Sequence, residues 1–282
     1  MNPIHRGHVA MLHTAADRLR YEGYNVVRAY VSPSHDGYVQ PKAASTGTIG
    51  LSAGFRLEVA RRAVADDPLV AVGAWEALKP GHWPDYPEVC KDLQSRVDGV
   101  RVYFVCGTDH ATKCGLWNGM GEIGVVVVPR ADDQPKPEQP AKRVFVARPA
   151  EGEVAGFSST KVREALAARD FDAVSRLLSA GAARFVLQPS AGELAAFAED
   201  FQKVGITSAP ALAAPPSKAA GHGRTIGITG LSRSGKGWVS KALKAHLENQ
   251  GRSVALIGQD NYWVKPIEVD VRGTMRRSEE EA

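Results

Sequence analysis

The sequence predicts an α/β protein built on a largely parallel sheet, and three observations carry that prediction. Apolar runs of strand length alternate with helix-period segments from the first residues to about residue 202. Turn formers close several of the runs, as Ser32-Pro33 and Gly107 do. With 44% apolar and 23% charged residues, the composition is that of a globular chain rather than a disordered one.

The chain opens with Asn2-Pro3-Ile4-His5-Arg6-Gly7-His8, followed by Val9, Leu12, Ala15 and Leu19 at helical spacing. Residues 25–31 read as a buried strand, and residues 55–64 as a helix turning Leu57, Ala60 and Val64 inward. A short strand at 69–72 leads to Trp75-Glu76. Strands follow at 100–106, 124–128 and 143–146, the last two separated by an exposed loop rich in Pro, Asp and Lys at 131–142. Helices at 161–168, 172–178 and 191–201 close this part.

Composition then breaks. Residues 205–224 hold Pro210, Pro215 and Pro216 among Ala, Ser and Gly, the makeup of a linker. Beyond it come a strand at 225–229, a glycine-rich turn at 230–237, a helix at 238–247 and a strand at 253–258. The expected organisation is a first domain at 1–203, a linker at 204–224 and a partial βαβ unit at 225–282, too small to bury a stable core alone.

A formal charge of +4 is too small to argue for nucleic acid, and none is expected as a partner, though the charge suits a protein that handles phosphates. Cys90, Cys106 and Cys114 have no metal-ligand spacing, and so sparse a set points to a reducing compartment, cytoplasmic or nuclear. No stretch approaches 18 uninterrupted apolar residues, so no membrane span is expected.

His5 and His8 stand three apart at the predicted mouth of the first helix, on one face if its first turn is helical. A helix mouth offers unpaired N–H groups and partial positive charge, and two imidazoles there make a cradle for a polyphosphate. Gly7 removes a side chain where a phosphate approaches the backbone. Far downstream, Phe157-Ser158-Ser159-Thr160-Lys161-Val162-Arg163 combines a helix cap with a hydroxyl and two cations. Alone, the first is more often two surface histidines near a frayed terminus and the second a capped helix with solvated cations; together, in this order, they are more specific. Cys106-Gly107-Thr108-Asp109 ends the strongest strand, at the sheet edge where ligands bind in parallel sheets. Trp75 and Trp117 follow strands at that edge, as packing or as a stacking surface for a flat ring.

These stretches resemble the NPxHxGH and ISSTxxR motifs of the nucleotidyltransferase superfamily. Gly107-x-Asp109, Leu116-Trp117 and Trp75-Glu76 narrow the resemblance to the nicotinamide/nicotinate mononucleotide adenylyltransferases of the eukaryotic type, over residues 2–189. Val31-Ser32-Pro33 with Asp36 and Tyr38 is similar to that family's segment after the second strand, where a downstream lysine, here Lys42, approaches the phosphates. The resemblance implies a Rossmann-like nucleotidyltransferase fold, with the family's first strand and Gly-Ser-Phe turn absent ahead of Asn2. It further implies adenylyl transfer from ATP, with Mg²⁺, to nicotinamide or nicotinate mononucleotide. His5, His8 and Arg163 would be catalytic. ATP would meet His5, His8, Gly107, Asp109 and Thr160 to Arg163, Lys161 and Val162 included. The mononucleotide would meet Trp75, Glu76, Leu116 and Trp117. A homo-oligomer is compatible with this reading.

In the last part, Gly230, Ser234, Gly235, Lys236 and Gly237 lie between strand and helix, as a P-loop requires. Gln259-Asp260-Asn261-Tyr262-Trp263 resembles the corresponding segment of uridine and nicotinamide riboside kinases, in which the residue at Asp260 serves the substrate hydroxyl. Gly237 stands where the Mg²⁺-ligating hydroxyl is usual, so no kinase turnover is expected of this unit. The rival readings are a non-catalytic nucleotide-binding fragment and an adenylyltransferase for another phosphate acceptor, such as pantetheine phosphate.

Overall fold

The computed structural model describes residues 1–208, 236–250 and 254. The chain divides into two units, Met1–Pro215 and Pro216–Ala282. In the second, the described residues are one helix, Gln250 and Val254. The strands expected at 225–229 and 253–258 fall outside the described residues, apart from Val254.

In the first unit the helix-period text after Gly7 becomes α1 (Arg6–Tyr21), which buries Leu12, Ala15, Ala16 and Leu19 along one side. Two parallel strands, β1 (Ala29–Val31) and β2 (Val70–Val72), pair in register from Ala29 opposite Val70. Three more, β3 (Tyr103–Cys106), β4 (Gly124–Val127) and β5 (Val144–Val146), form a second parallel sheet in that order. The α/β class with parallel pairing is therefore observed, with the strands in two sheets rather than one. Helix α1 packs on β1, β3 and β5 and so touches both sheets.

The strands are shorter than the apolar runs suggest. Residues 25–28 carry no ladder because the chain there lies at the surface, with Val27 exposed. Helix α2 (Asp36–Ser45) falls where Gly37 and Pro41 hide the helical signal, and His35 caps it by accepting from the Gly37 amide. Helix α3 (Ala53–Ala63) corresponds to the expected 55–64. The short α4 (Trp75–Leu78) and α5 (Tyr86–Gln94) follow, the latter begun by a reciprocal cap between Asp85 and Glu88. Helix α6 (Thr108–Lys113) leaves the end of β3.

After β5 come α7 (Ser159–Ala167), α8 (Phe171–Leu177) and α9 (Ala180–Leu187), the last without counterpart in the sequence reading. The expected helix at 191–201 is two, α10 (Ala191–Ala196) and α11 (Ala198–Lys203), broken at Phe197. That ring packs edge-on against Phe55 and Phe185 at 5.7 and 5.8 Å, so the break serves an aromatic cluster. In the second unit α12 (Lys236–Asn249) covers the expected 238–247.

The largest core cluster joins Ile4, Leu51, Phe55, Val162 and Phe185 and runs beneath both motif stretches. Within this region Arg56 of α3 is 1% exposed. Its guanidinium donates to the carbonyls of Leu51 and Ser34 and pairs with the Asp36 carboxylate at 2.6 Å. Burial disfavours a charge on Asp36, but the Ala53 amide and Arg56 outweigh it and hold that carboxyl below its ordinary range. Replacing Arg56 by Ala should therefore cost about 3 kcal/mol, from the cavity and the carbonyls left without donors. Urea unfolding checks this, with Arg56→Lys recovering only part of the loss.

Candidate functional site

The first turn of α1 is built from its own histidines. The His5 Nδ1 accepts from the Gly7 amide at 3.1 Å, and the His8 Nδ1 accepts from the His5 amide at 3.2 Å. Imidazoles thus play both halves of a reciprocal helix cap, which the spacing predicts in position but not in partner. Their ring centres lie 3.8 Å apart at an interplanar angle of 41°. With Nδ1 occupied as an acceptor, each neutral ring carries its proton on Nε2 and offers one N–H donor.

Burial keeps these rings neutral. It lowers His5 to about 4, helped by positive charge that includes Arg130, and lowers His8 well below the ordinary histidine range, helped by His5 itself. Gly7 has a reason the sequence reading did not contain. A Cβ there would lie 2.9 Å from the His5 ring and 3.0 Å from the Val154 carbonyl, so the cap requires glycine on steric grounds.

The two distant motifs meet. Ser159 Oγ donates to the Pro3 carbonyl at 2.7 Å, and Arg163 Nη1 to the Asn2 carbonyl at 2.9 Å. Arg163 Nη2 donates to Thr160 Oγ1 at 3.2 Å, and Ser158 caps α7 by accepting from the Lys161 amide at 3.1 Å. Lys161 is exposed and its Nζ donates to the Gly156 carbonyl at 2.6 Å. The side chain of Val162 is fully buried in the core and its amide donates to the Ser158 carbonyl. Val162 therefore anchors α7, with no side-chain surface for ATP. Asn2 holds the opposite flank, donating to the Ile49 carbonyl at 2.7 Å and accepting from the Leu51 amide at 3.2 Å.

At the end of β3, Gly107 precedes the first residue of α6, and Asp109 is exposed in that helix's first turn. Of the two readings of Trp117, packing or stacking surface, the structure shows packing, with Leu116 buried beside it. Trp117 is 3% exposed, packs in one cluster with Cys106, Ala111 and Val125, and donates its indole N–H to Thr112 Oγ1 at 3.0 Å. The loop after α6 folds back over β3 and β4, and burial of so large a ring outweighs display. Trp75 is half-buried with Lys79 Nζ 5.2 Å from its ring centre. Glu76 accepts from Ser32 Oγ at 2.6 Å, and burial pushes its carboxyl up. No ring contact joins Trp75 to Trp117 among the described residues. Lys42 donates to Tyr38 Oη at 3.1 Å, and the Tyr38 ring lies 5.5 Å from Trp83, an exposed indole absent from the sequence reading.

Gly230, Ser234, Gly235 and Asp260 lie outside the described residues, while Lys236 and Gly237 open α12. Open cavities of about 390 and 500 Å³ lie at α7–α8 and along α10–α11, and neither is lined by His5 or His8. The arrangement at α1 is defined by converging donors rather than by concavity.

Three outcomes follow from this geometry. The ordinary histidine value of 6.5 lies above the folded value of about 4, so on acidification the unfolded chain takes the His5 proton first. The stability His5 contributes is complete above about pH 6.5 and is lost toward pH 4, about 2 kcal/mol of it by pH 5. Urea midpoints at pH 7.5 and pH 5 should show this fall, and His5→Gln should reduce it, His8 supplying the remainder. Gly7→Ala should destabilise the chain by about 1–3 kcal/mol through the two close contacts. Trp117→Ala should cost about 3–5 kcal/mol in unfolding free energy, the scale for removing a large buried ring.

The chain matches the cytidylyltransferase-like family over residues 1–165. A relative from Gloeobacter violaceus, named "Probable nicotinate-nucleotide adenylyltransferase", is 31% identical over 179 residues, covering 59% of this chain and 80% of the relative. The matched span contains both histidines and the Ser159 and Arg163 that bind the carbonyls of Pro3 and Asn2 just ahead of them, and by that match the chain belongs to the cytidylyltransferase-like family of nucleotidyltransferases.

Proposed function

We propose that the first unit transfers AMP from ATP to a pyridine mononucleotide, giving the dinucleotide and pyrophosphate. The observation that carries this reading is the junction of the two motifs, where Ser159 and Arg163 bind the carbonyls of Pro3 and Asn2 beside the paired imidazoles. The Gloeobacter relative's name makes nicotinate mononucleotide the first acceptor to test, with nicotinamide mononucleotide beside it.

In this reading the Nε2–H groups of His5 and His8 donate to the triphosphate, and Thr160, Lys161 and Arg163 hold it from α7. An oxygen of the mononucleotide 5′-phosphate attacks the α-phosphorus in line. The new P–O bond forms as the α–β bridge breaks, and pyrophosphate leaves with the bridging oxygen. A phosphate monoester is already nucleophilic near neutral pH, so the protein supplies position and charge stabilisation rather than a covalent intermediate. Asp109 is free at the strand end to accept from ribose or adenine, and Trp75 with Glu76 faces the acceptor. Leu116 and Trp117, buried against Cys106 and Val125, would brace the strand end that carries Asp109 rather than touch the acceptor.

Among the described residues no group of three or more His, Cys, Asp or Glu side chains is placed to hold a metal. The Mg²⁺ expected with ATP would be carried by the triphosphate and water. Such an ion would neutralise charge on the phosphates; the donors at α1 and α7 would orient them.

Pyrophosphate release from ATP, measured with nicotinate mononucleotide, nicotinamide mononucleotide and no acceptor, tests the proposal. Acceptor-dependent release should fall at least roughly a hundredfold in His8→Ala, the scale for losing one transition-state donor. An unchanged rate would move the chemistry away from α1.

A further inference from the structure

Arg130 belongs to neither motif and lies two residues past a core position. The Val128 amide donates to the Cys106 carbonyl and the Ala147 amide to the Val127 carbonyl, both at 2.8 Å. The ends of β3, β4 and β5 are therefore level, and Gly107, Arg130 and Arg148 leave the sheet along one edge. Helix α1 starts over that same edge. Its Ala15 and Leu19 pack with Val128 and Ala147, and Gly7 lies against the Val154 carbonyl beyond β5. From Val128 the chain runs outward to Arg130, while two turns back from Ala15 stands His8.

Arg130 is exposed, and its amide donates to Asp133 Oδ2 at 2.9 Å. Its guanidinium has neither hydrogen bond nor ion pair among the described residues. Its charge reaches His5, where it is one of the influences holding that ring neutral. A cation at the sheet edge over which α1 begins, with no carboxylate on its fork among the described residues, is matched by an anion with several oxygens.

We infer that Arg130 is a further polyphosphate-binding residue of this site, gripping from the β4 side the phosphates that Arg163 approaches from α7. This rests on the adenylyl-transfer reading for its role in turnover, where Arg130 would hold the triphosphate and then the departing pyrophosphate. The charge arrangement itself is testable without turnover.

Calorimetric titration of the 282-residue chain with inorganic tripolyphosphate provides that test. Arg130→Ala should weaken binding about tenfold or more, and Arg130→Lys should restore part of it without the two-pronged grip. Arg101→Ala is the control for general loss of charge, since Arg101 is exposed before β3, at the opposite end of the strands. Wild-type chain that fails to bind, an Arg130→Ala affinity equal to wild type, or an equal loss in Arg101→Ala would each overturn the assignment. Pyrophosphate release is then measured in parallel. Wild type that binds tripolyphosphate through Arg130 but releases no pyrophosphate with any acceptor would sink the adenylyl-transfer reading and leave the anion site standing.

Discussion

A guanidinium removed from water has to be satisfied on several sides at once, and Arg56 imposes that requirement on the first unit. Its bonds fix the loop after β1 through Ser34, the entry to α3 through Leu51, and the start of α2 through Asp36. Asp36 in turn accepts from the Ala53 amide, and Ser52 is held by Asp200 through its amide and hydroxyl at 2.7 and 2.6 Å. The Leu51 amide binds Asn2, so the same network ends at the stretch that carries the histidines. The position of α1 relative to α3 is thus a matter of charge satisfaction as much as of apolar burial.

What was legible in the sequence is what local chemistry determines. The start of α1 could be placed because spacing and capping act within a few residues. Strand identities were legible from apolar runs, whereas their ends were not, since a ladder stops where its partner stops. Helix α5 carried an open signal in Asp85-x-x-Glu88 with Pro87, which the sequence reading did not use. Helix α2 was hidden by residues that usually break helices. Trp117 shows the deeper limit: a strand end and a tryptophan do not say which way the following loop folds, and here Thr112, five residues back, takes the indole N–H. Arg56 gave no signal at all, because nothing local distinguishes a buried arginine from a solvated one on a helix.

Arg163 illustrates how a residue can be singled out by its type while its geometry escapes. Guanidinium chemistry suggests phosphate, yet in the structure one nitrogen already serves the Asn2 carbonyl and another Thr160. The side chain therefore joins the two motif stretches before any ligand arrives. Ser159 acts in parallel on the Pro3 carbonyl. Preorganisation of this kind places the cost of bringing distant segments together in the folding of the chain rather than in ligand binding.

The closeness of the two imidazoles has a consequence for charge counting. At 3.8 Å between centres, two positive rings would repel by about 4 kcal/mol at an effective dielectric of roughly 20. That corresponds to about three pH units between the first proton and the second. The pair can therefore take at most one proton, and that proton would sit on an Nδ1 that now accepts a backbone amide, so charge gained there is set against the helix cap. Whichever ring is charged, its neighbour stays a neutral donor, so the mouth of α1 can add one unit of positive charge and no more.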